Sequence, residues 1–160
     1  MPLNPSYVGR SFPPSQPYLV GREKIREFAR AIGATDPAYL DTEAAKALGH
    51  PDLVAPPTFP VIVAMAATRA LIDDPDLGLD YSRVVHGDER FGYVRPVRAG
   101  DELTCVVTVE EITSRAGNDF ITTRTEVGTV DGEPVVTVWS KLVVRGSAGG
   151  AGGAGDEKAE

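Results

Sequence analysis

The chain has 160 residues, of which 42% are hydrophobic and 24% are charged. These fractions are typical of a single soluble globular domain that is long enough to bury a core. No apolar run reaches the ~18 residues of a membrane helix, and no secretory signal opens the chain, so we expect no membrane association and a cytoplasmic location. The net charge is −7 without a dense Lys/Arg cluster, which argues against nucleic acid as a partner.

The first part of the chain predicts an extended segment followed by a surface helix. Residues 1–20 are rich in proline and aromatic residues, which favours an extended path that enters one short edge strand. From Arg22 the apolar residues recur at helical spacing and charged residues fill the opposite face, which predicts an amphipathic helix up to Ile32. Gly33 is well placed to end that helix.

The next elements are a short helix, a loop and a long apolar helix. Residues 41–48 predict a second small helix with Gly49 as its cap. Residues 50–57 form a loop, because three prolines prevent this segment from being helical throughout. Residues 58–72 are apolar on nearly every side until Thr68, which predicts a helix buried in the middle of the domain. Its first turn would contain Pro57 and Pro60, where a missing N–H costs little.

The remaining chain alternates in the manner of strands. We place strands near residues 83–93, 102–114, 119–130 and 133–145, and Asp131-Gly132 is a strong hairpin signal. The tail from Gly146 consists of Gly, Ala, Ser and charged residues with nothing to bury, so we predict a domain over residues 1–145 and a disordered tail over 146–160. The pattern indicates an α+β fold with one helix among about five antiparallel strands.

The loop between the first two helices reads Gly33-Ala34-Thr35-Asp36-Pro37-Ala38-Tyr39. It resembles the loop Gly-Asp-x-Asn-Pro-(Ile/Leu)-His of the MaoC-like (R)-specific enoyl hydratases and hydroxyacyl dehydratases, in which the Asp and His perform the acid/base chemistry. Gly33 and Pro37 match this pattern, whereas Ala34 takes the position of the catalytic Asp and Tyr39 that of the His. The resemblance implies a hotdog fold, in which a curved antiparallel sheet of about five strands surrounds a long central helix.

Further segments support a more specific resemblance over about residues 7–145. Residues 97–103 are similar to the family turn Pro-Val-x-x-Gly-Asp-x-Leu, and 55–59 occupy the place of its Ala-His-Gly-Met segment. Residues 18–29 and 53–59 resemble the FAS1-like accessory subunits of heterodimeric (3R)-hydroxyacyl-acyl-carrier-protein dehydratases of mycolic-acid type. Those subunits also lack the catalytic pair, which a MaoC-like partner supplies.

The resemblance implies a function without a catalytic residue in this chain. We expect a dehydratase subunit that binds the acyl chain of an acyl-CoA or acyl-carrier-protein thioester, and that pairs with a MaoC-like catalytic subunit or forms a homodimer. No cofactor is implied. The expected acyl-binding residues lie in the loop and at the start of the long helix: Asp36, Tyr39, Pro57, Thr58, Phe59 and Ile62.

Two other functions stay open on the residues themselves. A self-sufficient hydratase or thioesterase would need a base from Asp36, Tyr39, His50 or His86, although a cap, a solvated loop or an interface is the simpler role for these side chains. A module that binds an acyl thioester without turnover is the third possibility. Two histidines without cysteine partners give no metal motif, and Cys105 in a strand-like run predicts a buried thiol.

Overall fold

The computed structural model describes residues 2–146, so the predicted tail lies outside the described residues except for Gly146. One antiparallel sheet has the strand order β1-β3-β4-β5-β2. Its strands are β1 (Tyr18–Leu19), β2 (Val84–Tyr93), β3 (Glu102–Arg115), β4 (Asn118–Thr129) and β5 (Pro134–Val144). The helices are α1 (Arg22–Ala31), α2 (Thr42–Ala47) and α3 (Val61–Ile72), with 3₁₀ turns at Pro5–Tyr7, Pro37–Tyr39, Pro75–Leu77 and Tyr81–Arg83.

The predicted strands and their hairpin are confirmed within two residues at each end. Side chains of β4 alternate between buried and partly exposed positions, so one face of the sheet carries the core. Between β4 and β5 the Thr129 N–H donates to the Glu133 carbonyl at 2.8 Å, and Gly132 has a φ of +92°, as the Asp131-Gly132 signal requires. The five strands curl around α3, which confirms the α+β hotdog arrangement.

The prediction for α3 was wrong in two respects. The helix begins at Val61 rather than Thr58, because Pro60 serves as the N-cap and the preceding residues form successive tight turns, with Phe59 N–H donating to the Pro56 carbonyl at 2.9 Å. The helix is also not buried on all sides. Val63, Ala64 and Leu71 face the sheet, whereas the opposite face is exposed at Met65, Ala66, Arg69 and Ala70.

The N-terminal segment extends the sheet beyond β1. Its backbone runs antiparallel to β3: Gly9, Phe12 and Ser15 donate N–H groups to the carbonyls of Val109, Val107 and Cys105 at 2.8–2.9 Å. In return, the N–H of Cys105 donates to the Ser15 hydroxyl at 2.9 Å. Three prolines at positions 13, 14 and 17 interrupt this pairing, because proline cannot donate to a ladder, and the segment stays irregular.

At the other end of the sheet, β2 is a ten-residue edge strand that pairs only with β5 among the described strands. Its outer face carries Arg90, whose guanidinium carbon lies 4.0 Å from the centroid of the Trp139 ring. Its inner face, on the side of α3, carries Glu89, which accepts a hydrogen bond from the Ser140 hydroxyl at 2.9 Å.

Within the described part of the chain, no helix is long and apolar enough to cross a membrane.

Candidate functional site

The loop after α1 keeps the shape that the sequence predicts. Gly33 has a φ of +70°, its N–H donates to the Arg30 carbonyl, and the Ala34 N–H donates to the Ala29 carbonyl at 2.8 Å, which is the Schellman arrangement. Asp36 then caps the turn Pro37–Tyr39 by accepting from the Ala38 N–H at 2.9 Å. The Asp36 carboxylate is therefore engaged as a cap, which was the simpler of its two roles.

A cavity of about 320 Å³, which we call the loop pocket, opens beside this loop. It brings together residues from the loop, the α2–α3 connection and the end of β2. Apolar side chains and the two phenols of Tyr39 and Tyr93 dominate its wall. The lining residues are Tyr39, His50, Val54, Ala55, Pro57, Tyr93, Val94, Arg95 and Pro96.

Both tyrosines of the loop pocket are weaker acids than free tyrosine. Burial, and then the negative charge of Asp36, raise the pKa of Tyr39. Burial, and then the neighbouring Tyr39, raise the pKa of Tyr93. The Tyr93 hydroxyl also donates to the Pro57 carbonyl at 2.6 Å. Both phenols are neutral hydrogen-bond donors near pH 7, and neither can act there as a general base.

The two histidines lie in different places. His50 lines the loop pocket, but among residues 2–146 no side chain hydrogen-bonds its ring, so no carboxylate orients it as a base. His86 is on the inner face of β2, where its Nδ1 lies 3.3 Å from Glu89 Oε1. It lines another cavity, between α3 and β2. No acid/base pair is assembled in the loop pocket.

The expected acyl-binding residues are only partly gathered there. Tyr39 and Pro57 line the loop pocket, while Asp36 and Thr58 are exposed nearby in the chain. Phe59 is fully buried and packs edge-to-face on Phe28, with ring centroids 5.4 Å apart. Ile62 is half-buried against the same core. Their acyl-binding role stays a prediction.

A second cavity, larger than the loop pocket, lies against α3 and was not predicted from the sequence. This N-terminal groove, of about 560 Å³, runs between the proline-rich segment and the exposed alanine face of α3. The groove is wide because the α3 side chains in its wall are small. The prolines on the facing wall offer no N–H groups to a ligand. Its lining is Phe12, Pro13, Pro14, Ser15, Gln16, Pro17, Tyr18, Val63, Ala66, Ala67, Ala70, Leu103 and Cys105.

Cys105 at the floor of the N-terminal groove is a buried thiol, as predicted, with 2% of its surface exposed. Burial raises the pKa of the Cys105 thiol to about 11, against a smaller opposing effect of Ser15. The thiol is therefore protonated near neutral pH and is a poor nucleophile.

An ion-pair cluster centred on Arg95, which lines the loop pocket, was not predicted from the sequence. The Arg95 guanidinium binds Asp101 at 2.8 and 3.0 Å and Glu133 at 2.8 and 3.1 Å. Arg95 holds the pKa of Glu133 below its usual value. The sequence predicts the turn containing Gly100-Asp101, but no pattern in the sequence indicates which arginine binds the Asp101 carboxylate.

No group of three or more His, Cys, Asp or Glu side chains that could hold a metal ion is present within residues 2–146. The loop pocket also presents no carboxylate of its own. The loop pocket offers an apolar surface with two neutral phenol donors and an Arg95 guanidinium that is already paired, which suits binding better than proton transfer.

The fold and the loop define the class as MaoC-like hotdog dehydratases and hydratases. Residues 6–138 match the model of the FAS1-like dehydratase domain region, and the chain belongs to this family. A UPF0336 protein of Streptomyces coelicolor is 62% identical over 145 residues, which cover 91% of this chain and 97% of that protein.

Two of the solved structures that are similar to the chain share at least 34% of its sequence. One is the C-terminally truncated HadBC (3R-hydroxyacyl-ACP dehydratase) complex of Mycobacterium tuberculosis, with 34% identity, a TM-score of 0.76, and coverage of 86% of this chain and 96% of that one. The other is a MaoC-like dehydratase, with 37% identity and a TM-score of 0.81. The match covers 88% of this chain but 42% of that dehydratase, so the latter is more than twice as long as the matched region.

Proposed function

We propose that this chain is the non-catalytic subunit of a (3R)-hydroxyacyl thioester dehydratase or (R)-specific enoyl hydratase. In this assembly a MaoC-like partner supplies the catalytic Asp and His, and this chain holds part of the acyl chain and completes the dimer. The observation that carries the proposal is the loop itself. Gly33 and Pro37 keep its conformation, yet with Ala34 and Tyr39 in place of the family's Asp and His the loop supplies no acid/base pair to the loop pocket.

Two further observations support a partner subunit. The ten-residue edge strand β2 pairs with β5 on one side only among the described strands, so the outward N–H and C=O groups of its alternate residues are free at the end of the sheet, and such edges readily take up another strand. One of the similar structures is a complex of two different subunits, described as a 3R-hydroxyacyl-ACP dehydratase. The carrier, coenzyme A or acyl carrier protein, and the cytoplasmic location stay predictions.

The activity of the purified chain tests this function. We expect the chain alone to hydrate trans-2-enoyl-CoA no faster than buffer, and we expect activity once it is co-expressed with a MaoC-like protein that carries the Asp and His. The matched control is the same pair with the catalytic Asp and His of the partner replaced by alanine. Robust hydration by this chain alone, lost in His50→Ala, would favour a self-sufficient enzyme instead.

We also propose that the N-terminal groove contributes to acyl-chain binding, because it is larger than the loop pocket and has no charged residue in its wall. Ala70→Leu fills the groove from the α3 side. In the assembled enzyme we expect this variant to raise KM for long-chain substrates at least about fivefold and to leave short-chain substrates unchanged. Ala31→Leu, at an exposed position of α1, is the matched control, and equal effects on both chain lengths would contradict the assignment.

A further inference from the structure

The middle of the free edge of β2 is acidic. Asp88 and Glu89 are its central residues, with five strand positions on either side of the boundary between them. Asp88 lies over the outer face near Lys141, whereas Glu89 lies on the inner face beside Ser140. The Glu89 side chain is 22% exposed and thus partly buried at the edge, with its two carboxylate oxygens near Ser140 and His86.

A second copy of this chain could continue the sheet only in restricted registers. If the two-fold axis is perpendicular to the continuous sheet, the α3 helices of both copies lie on the same face of that sheet. Side chains that oppose each other across the two β2 strands then also lie on one face. With the strands overlapped over nine of their ten positions, this places either Asp88 or Glu89 on the axis, opposite its own copy. In the register centred on Asp88, the two Glu89 side chains are still diagonal neighbours, about 7–8 Å apart.

Self-pairing therefore brings like charges together on the partly buried inner face. On the outer face, the register centred on Glu89 sets Asp88 opposite Arg90 of the copy, but both side chains are exposed and an ion pair there contributes little.

The charged and titratable groups facing Glu89 are few. His86 approaches it at 3.3 Å from β2, and Arg69 of α3 is already paired with Asp73 at 2.7 Å. The Arg69 guanidinium also lies over the Tyr81 ring, with its carbon 5.8 Å from the ring centroid. In a homodimer the second Glu89 brings only its own His86 contact, and like charges directly opposite each other destabilise a strand pair.

We infer that Glu89 is a specificity-determining residue of the β2 edge, which disfavours a homodimer and favours a different chain that presents a neutral or basic side chain opposite Glu89. The identity of that chain, the catalytic subunit, rests on the proposed function. The selection works through repulsion of the wrong partner, a common way in which related interfaces are kept apart. A partner without a carboxylate at this position removes the repulsion while keeping the same backbone pairing.

Sedimentation equilibrium of the full chain tests this inference. Glu89→Gln keeps an acceptor for the Ser140 hydroxyl but removes the charge, and we expect it to lower the homodimer dissociation constant at least about fivefold at low salt. Glu126→Gln removes the same charge from an exposed position of the central strand β4 and serves as the matched control, with a dissociation constant unchanged from wild type. Equal self-association of wild type and Glu89→Gln, or monomers in both, would overturn the inference.

If Glu89→Gln does not fold, the salt dependence of the wild-type chain can still contradict the inference. Screening from about 0.05 to about 0.5 M NaCl should strengthen wild-type self-association, and a dissociation constant that is independent of salt would count against the inference. The outcome is separable from that of the proposed function. A partner that restores dehydratase activity together with an inert Glu89→Gln substitution leaves the function standing and removes the inference. If no MaoC-like partner restores activity but Glu89→Gln tightens the homodimer, the effect of Glu89 stands and the proposed function falls.

Discussion

Arg95 joins three regions that are far apart in the sequence: the end of β2, the turn before β3 and the β4–β5 hairpin. Its side chain is 15% exposed and that of Asp101 is 8% exposed, so removing the guanidinium leaves a buried carboxylate without its main partner. We expect Arg95→Gln to lower the free energy of unfolding by about 2–4 kcal/mol, measured by urea denaturation.

The control for Arg95 is the exposed pair of Arg69 and Asp73, in which both side chains are more than half exposed. Surface pairs of this kind contribute about 0–1 kcal/mol, so Arg69→Gln should have little effect. A loss of similar size in both variants would show that the burial of Asp101 does not matter.

Cys105 offers a second measurement at the scale of one residue. Because burial keeps the thiol protonated, we expect it to react with a disulfide reagent such as DTNB at least about a hundredfold more slowly in the folded chain than in guanidinium chloride at pH 8. The unfolded chain is the internal control. Rapid stoichiometric reaction in the folded chain would mean that the N-terminal segment opens readily.

At the scale of elements, the N-terminal segment acts as an edge cover for β3. Deleting residues 2–17 removes the acceptors of the Cys105 and Val109 N–H groups, which bond to Ser15 and Arg10. We expect these two amides to lose protection in hydrogen exchange, whereas the alternate amides of β3, which point to β4, keep theirs.

The same deletion uncovers a long strand edge beside an apolar groove, so the truncated chain should also self-associate. An unchanged exchange pattern would contradict the role of the segment as a cover. The matched comparison is a chain in which residues 2–17 keep their length but Ser15 becomes Ala. This variant removes one acceptor and should affect the Cys105 amide alone.

Local patterns were sufficient to predict most elements. The period-2 alternation of β4 and the Gly33 stop after α1 depend on residues close together in the chain, and both are confirmed. The start of α3 was predicted too early. A proline is tolerated at several positions near the start of a helix, so the sequence did not show that Pro60 is the N-cap rather than a residue of the first turn.

The candidate site divides in the same way. The replacement of the family's Asp and His by Ala34 and Tyr39 can be read from the loop, because the loop is one short stretch of sequence, and the lack of catalysis by this chain alone stays a prediction. The N-terminal groove could not be read from the sequence, because its walls come from residues 12–18 and α3, and only the tertiary pairing of the segment with β3 brings them together.

At the scale of the whole molecule, acid should weaken the fold through several carboxylates at once. Arg22 holds the pKa of Asp52 low, a hydrogen bond from Tyr7 that of Asp74, and Arg95 that of Glu133. A folded pKa below the unfolded value of about 4 means that this stability is present above that pH and is lost as the pH falls through the lower folded values.

Denaturation midpoints should therefore be nearly constant from about pH 7 to about pH 5 and should fall steeply below about pH 4. Arg95→Gln should show a shallower fall, because the Glu133 contribution is already lost. A wild-type midpoint that rises on acidification would contradict the assignment of these three carboxylates.

The contact between Arg90 and Trp139 has a spectroscopic consequence. Trp139 is the only tryptophan, and the guanidinium above its indole belongs to the edge strand where we place the second subunit. Any chain that adds itself to β2 changes the surroundings of Arg90 and hence the polarity around this single fluorophore. A tryptophan-free partner could then be titrated without a label, with the emission of Trp139 reporting occupancy of the edge.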